Sequence, residues 1–434
     1  MRLLYNILFI VFFCLSAPYY FLKMWRRGNW RAGFGQRFGD YSGHEKSPTD
    51  TRRTLWLHAV SVGEVNVCAQ LIRELEPRLP DWRMVVSTTT STGMGLLKDK
   101  LPEHIEKIYY PIDRRRFVRR AFAAIQPDAI GLIEAEIWPN FLWHAIDRKL
   151  PLFLINARLS EKSYRGYRRF DFLFRELFAG FTGVGAQDKE DAARLCELGF
   201  RKEAVHTFSN LKFDAVRLPD KKRVDVPAML RQLGVPDGAP VLVGGSTHRG
   251  EEAMLGQIAQ RLRQKHPHLF LVLAPRHFER TKQVEQELRE AGVRHVCRTD
   301  VTPERKFTPG EVDCLLVNTT GELLLFYEQA TVVFVGKSIS AKGGQSPIEP
   351  GALGKAMVFG PNMQNFEAIA RTFVAGGGAV QVADAAELER ALDELLANAE
   401  RRAELGRNAL QVVHQSQGAT ARTVEMMVEQ LGRK

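Results

Sequence analysis

An α/β architecture of two doubly wound domains behind an apolar N-terminal helix is the fold class this sequence predicts, on three observations. Short apolar runs bounded by turn residues alternate with helical periodicities from residue 54 to residue 215. A second series of the same kind runs from residue 240 to residue 382. Leu3 to Leu22 is almost wholly apolar, broken only by Asn6, Ser16 and Pro18, and is about long enough to cross a bilayer as a helix. A chain of 434 residues is too long for one ordinary core, so two domains of roughly 170 to 200 residues each are expected.

The apolar segment, residues 1–24, is read as a membrane anchor. Lys23, Arg26, Arg27, Arg31 and Arg37 follow it with no acid before Asp40, whereas only Arg2 and the terminal amine precede the apolar run. By the positive-inside rule the bulk of the chain stays in the cytoplasm. A cleaved signal peptide is the competing reading, with Ser16-Ala17 as a small-residue site, and the dense basic segment behind it opposes export. Five cysteines, odd in number, scattered and without a CxxC pair, argue against a disulfide framework and a zinc site. With 45% hydrophobic and 26% charged residues and no low-complexity tract, a mainly disordered chain is excluded. The net charge of +11 calls for an anionic partner. No nucleic-acid motif or interleaved aromatic platform is present, which leaves a membrane surface or a phosphorylated substrate.

Taken in order, the first series places strands at Leu55 to Val60, Met84 to Thr89, Lys107 to Tyr110, Ala129 to Glu134, Leu152 to Asn156 and Gly183 to Ala186. Such βαβα alternation implies a parallel sheet whose carboxyl-end loops build any site. The polar, proline-flanked stretch 218–227 reads as a linker between domains at 25–217 and 228–410. The second series places strands at Pro240 to Gly244, Leu269 to Leu273, Cys314 to Val317, Val332 to Val335, Ala356 to Phe359 and Ala379 to Val382. From Ala385 to Gly432 the chain reads as helix, interrupted near Gly406 and Gly418, and its last segment, 411–434, is expected to pack back on the first domain. Two Rossmann-like halves facing a cleft describe the GT-B architecture of many nucleotide-sugar transferases and also of some epimerases and phosphorylases. Neither GxGxxG after the first strand nor GxxxxGK[ST] occurs.

The chemistry-bearing motifs fall at strand ends. HAVSVGE, His58 to Glu64, puts Glu64 on a glycine turn at a helix start, where the dipole favours an ionised carboxylate able to accept a proton. Acidic residues also occupy first turns simply as dipole partners, so two readings stand at Glu64. STTTSTGMG (Ser87 to Gly95) is a hydroxyl-rich turn, IEAEIWPN (Ile133 to Asn140) sets Glu134, Glu136, Trp138 and Asn140 at another, and NARLS (Asn156 to Ser160) makes a third. Glu136 suits acid/base or electrostatic work and equally suits locking its own loop. The arginines at 114, 115, 116, 119 and 120, and at 165, 168 and 169, suit anionic head groups or a solvated helix face.

In the second half, VLVGGSTHRGEE (Val241 to Glu252) reads as a phosphate cradle: Gly244 and Gly245 let the backbone approach a ligand, while Ser246 and Thr247 supply hydroxyls or cap the helix beginning near Glu251. LAPRH places Arg276 and His277 where a guanidinium grips phosphate or carboxylate bidentately, with Arg280 one turn on; a plain salt bridge is the alternative. NTTGEL offers Thr319, Thr320 and Gly321, GGQSPIEPG holds Glu349 between prolines, and GPNMQNF contributes Asn362 or Asn365. All five loops belong to one edge of the predicted sheet.

Together with GQRFGDY (Gly35 to Tyr41), these motifs resemble those of the 3-deoxy-D-manno-octulosonic acid (Kdo) transferases of lipopolysaccharide assembly, over nearly the whole chain. The resemblance implies an inverting GT-B glycosyltransferase that moves Kdo from CMP-Kdo to a hydroxyl of a lipid A precursor at the cytoplasmic face of the inner membrane. It implies Glu64 as general base, supported by Glu136. It implies a donor site of Ser246, Thr247, His248, Arg276, His277, Thr319, Gly321, Glu322, Gly344, Glu349 and Asn365, with Glu349 at the ribose. Ser61, Gly63, Thr89 and Arg158 form the implied acceptor site. No metal or other cofactor is implied, because the donor carries its own anionic leaving group, which cationic side chains and helix N-termini stabilise. Two positions depart from the family's pattern: Gln345-Ser346 stand where it usually has His-Asn, and Asn318 where it often has Asp. Other readings of the same frame are a transferase with a different nucleotide-sugar donor and a membrane-anchored binding protein without turnover.

Overall fold

The computed structural model describes residues 2–26, 31–134, 136–216 and 224–432. It divides into two compact units, Met1–Ala215 with Gln417–Lys434, and Val216–Ser416. Most of the proposed linker lies outside the described residues. Its end does not continue as linker: Val226–Gln232 is a helix capped by the Asp225 side chain, and Pro227 sits in its first turn, where a missing N–H leaves no bond unmade.

The first unit is built on seven parallel strands, β1 (Arg53–His58), β2 (Trp82–Thr88), β3 (Glu106–Tyr109), β4 (Ala129–Ile133), β5 (Leu152–Ala157), β6 (Gly183–Ala186) and β7 (Val205–Thr207). Their order is β3-β2-β1-β4-β5-β6-β7. The order therefore reverses between β1 and β4, the position at which open α/β sheets form a crevice beyond the strand ends. Side chains alternate across β1 as strand geometry requires. Trp56 faces one core cluster, packing edge-on against Phe141 at 5.0 Å and donating its indole N–H to Ser87 Oγ at 2.8 Å. Leu55 and Leu57 face the other, which holds Val65, Leu71 and Ile72 of the helix Val62–Leu75. The helix Ala419–Gly432 contributes Val424, Met427 and Leu431 to that same core. A buried bond from Gln70 to Thr420 Oγ1 at 2.6 Å fixes its start, and Asp214 accepts the N–H groups of Gly418 and Thr420, each at 2.7 Å.

The N-terminal helix Arg2–Arg26 is long and apolar enough to cross a membrane: the window Arg2–Tyr19 has a mean hydropathy of 1.6, and no residue of it is buried. Leu3 and Leu15 are 75% and 78% exposed. Its first turns nevertheless hold onto the first unit. Arg2 pairs with Asp147 at 2.6 Å, the Tyr5 hydroxyl donates to Asp113 at 2.7 Å, and Asn6 exchanges bonds with Asn140 at 3.1 Å.

The second unit is a second seven-stranded parallel sheet: β8 (Val241–Thr247), β9 (Phe270–Pro275), β10 (His295–Cys297), β11 (Cys314–Leu316), β12 (Val332–Val335), β13 (Met357–Phe359) and β14 (Val380–Gln381), in the order β10-β11-β9-β8-β12-β13-β14. Here the reversal lies between β8 and β12. Leu242, Leu271, Phe334 and Val358 from four neighbouring strands share a core with Leu388 and Leu392 of the helix Ala385–Ala397. The C-terminal helical stretch breaks at Asn398 and Gly418, not at Gly406 as expected. Gly406 lies inside the helix Ala399–Ser416, where a Cβ would stand 2.1 Å from the Gly354 carbonyl oxygen; the glycine serves close packing and not a helix stop.

Candidate active site

In the first unit, the loops after β1 and β4 meet the reversal point of the sheet, and both carry carboxylates. Ser61 is the N-cap of the helix Val62–Leu75, its hydroxyl accepting the Glu64 N–H at 3.2 Å. Glu64 reaches back past the N-cap to accept the Val60 N–H on Oε2 at 2.8 Å, one residue before the partner of a capping box, and this fixes the carboxylate's direction. Glu64 is only 8% exposed. Burial pushes its carboxyl above the usual carboxylate range; the bonds from Val60 and Ser61 pull the other way, and the charge of Glu134 adds to the rise. The helix start therefore does not dominate Glu64, as the sequence suggested. Burial does, and it makes the group a stronger base than an exposed glutamate.

Glu134 terminates β4 in a left-handed conformation, φ 63°, and accepts a bond from Lys212 Nζ at 3.1 Å. Lys212 was not singled out from sequence. It lies on the short helix Leu211–Ala215, held by Asn156, whose Oδ1 accepts the Leu211 N–H at 3.0 Å. The lysine reaches the turn before Glu64: a Cβ on Gly63 would lie 3.6 Å from its Nζ. Glu136 accepts the Trp138 indole N–H at 2.9 Å, and burial raises its carboxyl, with Glu64 and Glu134 adding to the rise. That bond makes Glu136 a lock on its own loop within the carboxylate group. Asn140 is pinned by Asp113 and Asn6 and belongs to the helix Pro139–Asp147. The Thr89 carbonyl accepts a bond from Arg37 at 2.6 Å, and Arg158 lines a small apolar cavity of about 10 Å³ with Glu134, Tyr167 and Phe200. His58 stacks on Tyr110 at 3.9 Å, and burial holds its imidazole down at about 3, so it is a neutral core residue.

In the second unit, Ser246 has φ 53° and Thr247 is buried. Neither caps the next helix as proposed. The helix Glu251–Leu262 has Gly250 at its N-cap with no side-chain cap, and Thr247 instead donates to Glu252 at 3.1 Å. Gly244 and Gly245 are also required by close packing within the protein. Their Cβ positions fall 2.8 Å from Leu255 Cδ1 and 1.8 Å from Tyr327 Oη. Arg280 pairs with Glu252 at 3.0 Å, tying the loop after β9 to the loop after β8, while the Arg276 N–H donates to the Thr247 carbonyl at 3.0 Å. The rings of His248 and His277 lie 6.4 Å apart. Burial, then the charges of Lys337 and Arg280, push His248 below its usual value.

Burial raises the Glu349 carboxyl, against the pull of the Ser346 hydroxyl and of Arg276. Ser346, one of the departures from the resembled pattern, thus favours the charged form of Glu349, and its hydroxyl accepts the Ile348 N–H at 3.3 Å. Gly344 has φ 70° and its N–H donates to the Lys337 carbonyl at 2.9 Å; the Asn365 N–H donates to the Gly343 carbonyl at 2.8 Å. Ser246, Thr247, His248, Arg276, His277, Gly344, Glu349 and Asn365 gather at the ends of β8, β9, β12 and β13. Thr319, Gly321 and Glu322 follow β11, the strand next to β9 on the side away from β8. Glu322 is engaged by Arg298 at 3.1 Å and by the Thr319 hydroxyl at 2.6 Å. Asn318 both accepts from and donates to Thr299, at 3.1 and 2.9 Å, a pairing that uses the amide's two sides. Among the described residues there is no group of three or more His, Cys, Asp or Glu placed to hold a metal ion.

Comparison with known proteins gives the chain its family. Residues 32–215 match the family profile described as 3-Deoxy-D-manno-octulosonic-acid transferase (kdotransferase). The chain is 34% identical over 435 residues to the 3-deoxy-D-manno-octulosonic acid transferase of Bordetella pertussis, covering 96% of this chain and 97% of the relative. It is 30% identical over 408 residues to that of Haemophilus influenzae, covering 93% and 92%. Among solved structures, UDP-GlcNAc 2-epimerase from Neisseria meningitidis bound to UDP-GlcNAc matches with a TM-score of 0.57 at 15% identity, over 88% of this chain and all of that one. A glycosyltransferase from Rickettsia africae gives a TM-score of 0.57 at 11% identity over the same shares. The structural likenesses establish a shared GT-B fold, and the sequence relationships, sustained from end to end, go further: this chain belongs to the 3-deoxy-D-manno-octulosonic acid transferase family.

Proposed function

We propose that the protein transfers Kdo from CMP-Kdo to a hydroxyl of a lipid A precursor in lipopolysaccharide core biosynthesis. The observation that carries the reading is the helix-start carboxylate of Glu64, aimed by Val60 and Ser61 and raised by burial, in a chain whose relatives are Kdo transferases end to end. Glu64 takes the proton of the acceptor hydroxyl as that oxygen bonds to the anomeric carbon of Kdo. The bond from that carbon to the phosphate oxygen breaks, and CMP leaves with the electron pair. Arg276 as a cation and His248 as a neutral hydrogen-bond donor, both in the second unit, stabilise the leaving phosphate and the Kdo carboxylate, and Glu349 accepts from the ribose hydroxyls. The chemistry needs no metal, because side-chain cations meet the charge that develops on CMP.

The helix Arg2–Arg26 serves as the membrane anchor, at the cytoplasmic side of the inner membrane. Its exposed apolar face and the basic residues around Arg115 and Arg119 supply the two signals of a stable peripheral attachment. Arg2, Tyr5 and Asn6 keep its start on the first unit, which suits a helix lying along the membrane surface. The reading is tested by incubating purified protein with CMP-Kdo and a lipid A precursor and counting added sugars by mass spectrometry. A mass gain of one or more Kdo units is expected. No gain with CMP-Kdo, alongside transfer from a uridine-linked sugar, would overturn it.

A further inference from the structure

The first turn of the helix Glu251–Leu262 carries two adjacent buried carboxylates, and Glu251 is held entirely by backbone. The residue is 0% exposed. Its Oε2 accepts the N–H groups of His248 at 2.9 Å and Lys337 at 2.6 Å. Its Oε1 accepts those of Ser338 at 2.9 Å, Ile339 at 3.1 Å and Ser340 at 3.5 Å. These donors come from the loops after β8 and β12, the two strands between which the order of the sheet reverses. Successive N–H groups converging on one point form a nest of the kind that ordinarily receives a phosphate. In this chain the nest is filled from within.

We propose that Glu251 is a positioning residue for the nucleotide-sugar donor: by occupying the amide nest after β12 it fixes the donor loop and leaves the donor's phosphate to side-chain cations. The proposal rests on the reading that the second unit holds CMP-Kdo. From Glu251 the constraint passes outward through backbone. The Lys337 carbonyl accepts the Gly344 N–H at 2.9 Å, and the Ser338 carbonyl accepts the Asn362 N–H at 2.9 Å. Ser338 Oγ accepts the Gly360 N–H at 2.9 Å, and the Gly343 carbonyl accepts that of Asn365 at 2.8 Å. Gly344 and Asn365 are thus placed through a carboxylate that touches neither. Glu252 completes the frame by holding Arg280 and Thr247, so neighbouring carboxylates fix the loops after β8, β9 and β12. Removing Glu251 leaves up to five N–H donors without their acceptor, that of Ser338 buried and the others part-buried, which opens the loop in preference to leaving them unpaired.

The test compares Glu251→Ala and Glu251→Gln with the unaltered full-length protein in detergent, by steady-state transfer and by amide hydrogen exchange. Both variants are expected to raise the KM for CMP-Kdo about tenfold or more while kcat stays within about threefold. Exchange at residues 337–340 should speed up. Formate, a carboxylate small enough to refill the nest, should restore slow exchange and a low KM to Glu251→Ala and not to Glu251→Gln, whose amide still occupies the space. An unchanged KM, a loss confined to kcat, or exchange at 337–340 that neither variant alters would overturn the proposal. If Glu251→Ala fails to fold, Glu251→Gln carries the comparison, with exchange elsewhere as the folding control. Absence of transfer by the unaltered protein overturns CMP-Kdo as donor, and the exchange result, which needs no donor, then decides the role of Glu251.

Discussion

The Nζ of Lys212 lies 3.1 Å from Oε1 of Glu134, joining loops 78 residues apart in sequence beside the turn that carries Glu64. Glu134 matters to Glu64 through charge. Its carboxylate raises the Glu64 carboxyl, which burial has already lifted. A base works when deprotonated, so a raised Glu64 sets the acid limb of the kcat/KM profile above the ordinary carboxylate range. Glu134→Gln removes that raising charge. The limb is expected to move to lower pH, as read from pH–rate profiles; a limb that moves up or stays in place would contradict the coupling.

Gly336 follows β12 where the chain passes the end of β8. A Cβ there would stand 2.5 Å from the Ser246 carbonyl oxygen and 2.6 Å from Thr247 Cα, both backbone atoms that cannot swing away. Gly336→Ala should destabilise the second unit by about 1–3 kcal/mol or prevent its folding. Gly95, with nothing within 4 Å of its Cβ position, provides the control. Thermal denaturation should show a lower midpoint for Gly336→Ala and no loss for Gly95→Ala.

Asp214 accepts two N–H groups at the start of the last helix, where Gly418 and Thr420 have no earlier carbonyl to bond. Asp214→Ala is expected to cost about 1–2 kcal/mol, the range for loss of an N-terminal cap. Faster hydrogen exchange over residues 418–424 should accompany it. Unchanged exchange there would show that packing on the core, and not the cap, holds the helix.

Deleting residues 2–22 removes the exposed apolar face and leaves only basic residues, such as those of the helix Arg115–Ile125, as attachment signals. Flotation with vesicles containing anionic lipid should then become weak and sensitive to salt. Full salt-resistant binding by the truncated protein would contradict the anchor.

Most of the architecture was legible because buried parallel strands are apolar runs, and Gly183–Ala186 and Val332–Val335 fall on the predicted bounds. β7 and β10 were missed: each has three residues and lies at a sheet edge, too short to carry a periodic signal. Gly406 misled because a glycine that serves a close backbone approach reads like one that ends a helix. At the site, Glu64 and its turn were legible from spacing, whereas its elevated basicity was not, because it depends on burial and on the charge of Glu134, 70 residues further along the chain. Lys212 carried no local signal beyond following Asn210-Leu211. Glu251 was visible as an acidic first-turn residue, yet its five partners lie up to 89 residues away.

The most direct test of the account is Glu64→Gln, which keeps the shape of the side chain and removes its basicity. Transfer from CMP-Kdo to the lipid A precursor should fall by about 10²–10⁴-fold, the usual contribution of general-base catalysis, while CMP-Kdo binding measured by calorimetry stays within about twofold. Turnover close to that of the unaltered protein would contradict the assignment of Glu64 as the base.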